Sequence, residues 1–102
     1  MIHVIATIHL APAARAEFLR HFHALVPQVL AEEGCLEYGP AVELATPLPA
    51  QAAVRPDCVT VIEKWASVAH LEWHLAAPHM QPYRQQVKDL VRQVDLRILE
   101  PA

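Results

Sequence analysis

Seven histidines fall among 102 residues, and two of them, His70 and His74, stand one helical turn apart. Imidazoles at that spacing can share a metal ion or move protons near neutral pH. Glu72 between them faces the other side of such a helix. The segment is therefore not an H-E-x-x-H zinc site, whose glutamate must face the metal-bound water. No cysteine or aspartate joins these histidines in sequence, so neither a metal nor another cofactor is expected. A sharper pairing is Glu63 with His74. Glu63 and Trp65 alternate with Val59 and Val61 on what reads as the buried face of a strand. A carboxylate among apolar neighbours is costly without a partner. His74, on the same helix side as Leu71 and Ala77, is the expected one. Such a pair serves as a structural latch or as a catalytic acid–base couple, since either role perturbs pKa values. His79 is a second candidate base. Tyr38 and Tyr83 are the only phenols. With Phe22, Trp65 and Met80 they are expected to line a substrate pocket.

What is missing removes whole classes of chemistry. Ser67 is the only serine and has no G-x-S-x-G elbow around it, which sets acyl transfer aside. Gly34 and Gly39 are the only glycines, too few for a dinucleotide fingerprint or a P-loop. Cys35 and Cys58 form no C-x-x-C pair and read as reduced thiols. A formal net charge of −3 lacks the basic surface that nucleic acid requires. His3, His9, Arg15 and Glu17 interrupt any apolar run, so no membrane span is expected. Without a signal-peptide pattern at its start, the chain is expected in the cytoplasm.

The elements that must position these groups are legible. Ile2–Leu10 alternates as strand one, with Ile2, Val4, Ala6, Ile8 and Leu10 on one face and His3, Ile5, Thr7 and His9 on the other. Pro12 suits a helix start, and Phe18, Phe22, Leu25 and Val29 mark a helical stripe that Pro27 should kink and Gly34 end. Cys35–Leu44 reads as strand two, with Pro40 demoting part of it to an edge or a bulge, and Cys58–Trp65 as strand three. Between them, Ala45–Asp57 is a proline-rich loop that could rim a pocket. Ser67 caps a helix over Val68–Ala77 that Pro78 closes. A last helix begins near Gln81 with the stripe Tyr83, Val87, Leu90 and Val91, before strand four at Val94, Leu96 and Ile98. The whole is one α+β domain over residues 1–102, a ferredoxin-like β-α-β-β-α-β unit with its helices on one face of an antiparallel sheet. The other sheet face, with Ile5 and Ile62 among polar residues, needs a cover, most simply a second subunit.

Val61-Ile-Glu-Lys-Trp-Ala-Ser67, followed by His74-Leu-Ala-Ala-Pro-His79-Met80, resembles the signature of the antibiotic biosynthesis monooxygenase (ABM) domain family. The opening Met1-Ile-His-Val-Ile-Ala6, the Leu25-Val-Pro27 helix end and Glu33-Gly-Cys-Leu-Glu-Tyr38 fit the same family, so the likeness runs along nearly the whole chain. It implies a dimeric α+β barrel made of two ferredoxin-like subunits stacked through their sheets. For some members it also implies cofactor-independent oxidation of quinols or polyketide-like phenols by molecular oxygen. Polyketide-oxidising and haem-degrading relatives use an asparagine, which this chain lacks. The haem-degrading branch also uses a histidine on the last helix, where Tyr83 and Arg84 stand here, and only Trp65 matches it. The resemblance therefore implies a quinol or phenol monooxygenase. The alternatives are a dimer that binds or senses a small aromatic without turnover, or a dimer that is structural only.

Overall fold

The computed structural model describes residues 1–102. Alternation in β1 (Ile2–Leu10) buries Val4, Ala6, Ile8 and Leu10 on one face. On β3 (Cys58–Trp65), Glu63, Val61 and Val59 stand opposite Val4, Ala6 and Ile8 and share that face. The other strands are β2 (Cys35–Ala41) and β4 (Val91–Leu99), and all four pair antiparallel in the order β2-β3-β1-β4. With the crossover helices this is the expected ferredoxin-like arrangement. Pro40 lies on β2 at the sheet edge, where its missing N–H costs no ladder bond.

The first crossover is α1 (Arg15–Leu30), whose Phe18, Phe22, Leu25 and Val29 enter the core. Pro27 sits inside this helix, which continues to Leu30. Pro27 and the carbonyl-bearing His23 are both exposed, so water can serve the acceptor that Pro27 leaves unbonded. The second crossover holds two short helices, α2 (Val68–Leu75) and α3 (Met80–Val87). The first stops two residues short of the expected Ala77. The second ends before Leu90 and Val91, and Val91 opens β4 ahead of the expected Val94. Likewise β2 stops at Ala41, not Leu44, which lengthens the following loop. That loop is braced by the Glu43–Arg55 ion pair at 3.0 Å. It does not border the cavity described below, but its Arg55 lines a separate recess with Thr7, His9 and Asp95. Both cysteines are free, as expected.

Gly34 joins α1 to β2 at φ +79°, a left-handed conformation that side chains resist. An added Cβ would also lie 2.2 Å from the His70 ring. That ring is held in place, since Ser67 Oγ and His70 Nδ1 lie 2.7 Å apart and the His70 N–H donates to the same oxygen at 3.3 Å. Gly34→Ala should therefore cost on the order of 2–4 kcal/mol, read by chemical denaturation. A loss below about 1 kcal/mol contradicts the packing described.

Candidate active site

A cavity of about 410 Å³ opens between the sheet and the second crossover. Its walls are mostly apolar and include Ala6, Ile8, Val61, Met80 and Val87. The cavity is open toward β4. Val94 and Leu96 face it from the helix side of the sheet, opposite Ile8 and Ala6, yet no helix covers them and both stay exposed. Phe22, Tyr38 and Tyr83 form its aromatic wall, with Phe22 stacked on Tyr38 at 5.5 Å and edge-on to Tyr83 at 5.9 Å. Burial pushes both phenols well above their ordinary pKa, so they remain neutral. Arg84 and Lys88 supply the cations at the mouth, and Arg84 Nη2 is tethered to the Leu75 carbonyl at 2.6 Å.

Two buried acid–base groups reach this cavity, Glu63 and His74. Trp65 Nε1–H donates to Glu63 Oε1 at 2.8 Å. Burial nevertheless raises the Glu63 pKa to about 7, and the Trp65 bond only partly offsets it. His74 does not pair with Glu63, which corrects the expected partnership. Its Nδ1 lies 2.9 Å from Glu32 Oε2. Glu63 is bonded instead to its strand neighbour two residues on, on the same face of the pleat. Desolvation lowers the His74 pKa, and Glu32 partly counters it. A carboxylate only accepts, so His74 carries its hydrogen on Nδ1 and leaves Nε2 as an acceptor.

Of the expected site residues, Phe22, Tyr38, Glu63, His74, Met80 and Tyr83 line the cavity together. Trp65 does not. It is fully buried behind the wall, 4.8 Å from the His74 ring, and positions the two acid–base groups. His79 does not reach the cavity either; its Nε2 lies 2.7 Å from Glu32 Oε2, and its ring borders a separate outer groove. Glu32 is the residue that sequence reasoning missed. Standing just past α1 next to Glu33, it has no apolar period around it that would mark it as buried. Glu32, His74 and His79 each bring one ligand atom within 4.8 Å of the others, so these three could hold a divalent ion. His70 and His74, one helical turn apart, do not converge on a shared site, since His70 turns to Ser67.

The antibiotic biosynthesis monooxygenase family profile matches residues 1–86. The chain is 44% identical over 103 residues to the Escherichia coli K12 protein named "Probable quinol monooxygenase YgiN", covering 99% of this chain and 98% of that one. A Shigella flexneri protein of the same name shows the same identity and coverage. Among solved structures, PA3566 from Pseudomonas aeruginosa superposes with a TM-score of 0.81 at 27% identity, over 99% of this chain and 93% of that one. Rv0793 from Mycobacterium tuberculosis gives 0.79 at 26% identity, over 99% and 94%.

Proposed function

Because this chain belongs to the antibiotic biosynthesis monooxygenase family, we propose that it oxidises a quinol or a similar electron-rich phenol with molecular oxygen, using no metal or organic cofactor. One observation carries this reading: a single apolar cavity holds a carboxyl with raised pKa and an imidazole with lowered pKa. Burial that favours the protonated carboxyl and the neutral imidazole side by side suits the one to give a proton and the other to take one. Triplet oxygen reacts slowly with a neutral quinol and faster with its anion. His74 Nε2 takes the quinol O–H proton, and the aromatic wall holds the ring away from water. The anion passes an electron to oxygen, and the radical pair closes a carbon–oxygen bond to give a peroxide. Glu63 protonates that peroxide. Loss of the C–H proton at the same carbon then breaks the O–O bond. One oxygen atom stays as a carbonyl and the other leaves as water, so quinol and O₂ become a hydroxylated quinone and water. Oxygen uptake against a panel of hydroquinones and anthrones, with chelator present, tests the reading. Steady uptake with at least one of them is expected, and none with any contradicts it.

We further propose a homodimer closed through the uncovered sheet face. Ile62 on that face is 42% exposed, with Ile5 beside it on β1. A stable interface of this kind buries at least about 1,000 Å² in total. Sedimentation should show a dimer at micromolar concentration, converted to monomer by Ile62→Asp. Wild-type monomer at that concentration contradicts the pairing.

A further inference from the structure

We propose that Glu32, His74 and His79 form a binding site for a divalent transition-metal ion, best fitted by zinc, and that the bound ion silences His74 as a base. The silencing rests on His74 being the base of the proposed reaction; the binding does not. Three separate segments supply the ligands: the turn after α1, the last turn of α2 and the residue before α3. His74 Nδ1 and His79 Nε2 lie 2.9 and 2.7 Å from one oxygen, Glu32 Oε2. A carboxylate has two oxygens and could receive the rings separately, yet both converge on the same one. All three ligand atoms stand within 4.8 Å of one another. Around a tetrahedral ion with bonds of about 2.1 Å, ligand atoms are about 3.4 Å apart. A widening of roughly 0.5–0.7 Å therefore admits zinc. His74 is fixed at 3% exposure against Trp65 and Tyr38, while Glu32 and His79, at 13% and 22%, have the freedom to give it.

Two imidazoles and one carboxylate suit zinc and its transition-metal neighbours, whereas magnesium and calcium favour sites built from oxygen. His79 borders the outer groove with His21, Gln28 and Gln86, which gives the ion an entry path and a water for its fourth position. The Arg84 cation, tethered to the Leu75 carbonyl, works against a second cation near His74, and the Glu32 carboxylate offsets it. Without the ion, both rings donate to Glu32, so His74 carries its hydrogen on Nδ1 and His79 on Nε2. The ion binds those same nitrogens through their lone pairs. Each ring then stays neutral and carries its hydrogen on the other nitrogen, Nε2 in His74 and Nδ1 in His79. No proton is gained or lost in the exchange. His74 Nε2, now holding a hydrogen, cannot take one from the quinol. The ion thus inhibits a reaction that itself uses none.

The test starts from full-length, chelator-treated protein titrated with zinc in a calorimeter. One ion per chain should bind at micromolar concentration. Glu32→Gln and His79→Gln should each weaken binding by at least about 100-fold, beyond the loss usual for a residue outside the ligand set. His9→Gln probes the other histidine cluster, where His9 meets Asp95 and Cys58, and should leave zinc affinity unchanged. Cobalt in place of zinc should give a visible spectrum without a thiolate charge-transfer band. Nitrogen NMR of the His74 ring should find its hydrogen on Nδ1 without zinc and on Nε2 with it. In oxygen uptake with a hydroquinone, one equivalent of zinc should stop turnover and chelator should restore it. His79→Gln should need about 100-fold more zinc for the same inhibition. If no quinol is oxidised, the proposed function fails while calorimetry and NMR still decide the site. Absence of binding, a thiolate band, or binding lost in His9→Gln and kept in His79→Gln overturns the site. Zinc held by the three residues that leaves uptake unchanged, or raises it, overturns the silencing.

Discussion

His74→Gln is expected to slow quinol-dependent oxygen uptake by about 10²–10⁴-fold, the ordinary share of a positioned general base. Glutamine occupies similar space, and its amide can still donate to Glu32, but it cannot accept a proton. Binding of the quinol should therefore survive, since Phe22, Tyr38 and Tyr83 make the ring wall and none of them is altered. Stability should fall by only about 1–2 kcal/mol, because Glu32 keeps its bond to His79 and is not left as an unpaired buried charge. Turnover, quinol affinity and thermal melting measured on one preparation separate these effects. A variant that melts early yet keeps full activity per folded molecule shows His74 to be a latch and not the base.

Glu63→Gln is expected to remove a pH dependence of stability. The carboxyl is 5% exposed, and its pKa is raised from 4.5 to about 7, chiefly by burial. Between those values the folded chain binds more protons than the unfolded chain, so stability falls as pH rises across that window. The difference of about 2.5 units corresponds to roughly 3 kcal/mol, present below pH 4.5 and lost above pH 7. Glutamine is neutral throughout, and its carbonyl can still accept from Trp65 Nε1. Denaturation at pH 5 and pH 8 should then show a wild-type loss from this group that is absent in Glu63→Gln, and the variant should be the more stable protein at pH 8. Equal pH slopes for the two proteins would show that Glu63 ionises at its ordinary pKa.

The elements were legible wherever one physical signal dominated. Alternation over Ile2–Leu10 and Cys58–Trp65 placed both central strands to the residue, because a pleated strand buried on one face tolerates no slip. Helix and strand ends were less sharp. Leu90 and Val91 continue the apolar stripe of α3, yet the chain leaves the helix after Val87 to join the sheet, a tertiary choice that the local pattern does not contain. The aromatic wall and Glu63 could be found because both lie on periodic faces. The partner of His74 could not. Glu32 sits in a polar turn 42 residues away in sequence, and only the docking of α2 against the α1–β2 junction brings the two together. Trp65 was legible on the buried strand face but not as a residue set behind the cavity wall, and its bond to Glu63 follows simply from two residues on one strand face.

The most direct measurement of the proposed reaction is a single turnover of chelator-treated protein with a hydroquinone under ¹⁸O₂, with mass analysis of the quinone product and the water. The acid–base reading of Glu63 and His74 predicts one labelled oxygen atom in the hydroxylated quinone and one in water, with the yield lost in His74→Gln. A hydroquinone that binds in the cavity but consumes no oxygen, or a quinone formed without label while the oxygen goes to hydrogen peroxide, would contradict it.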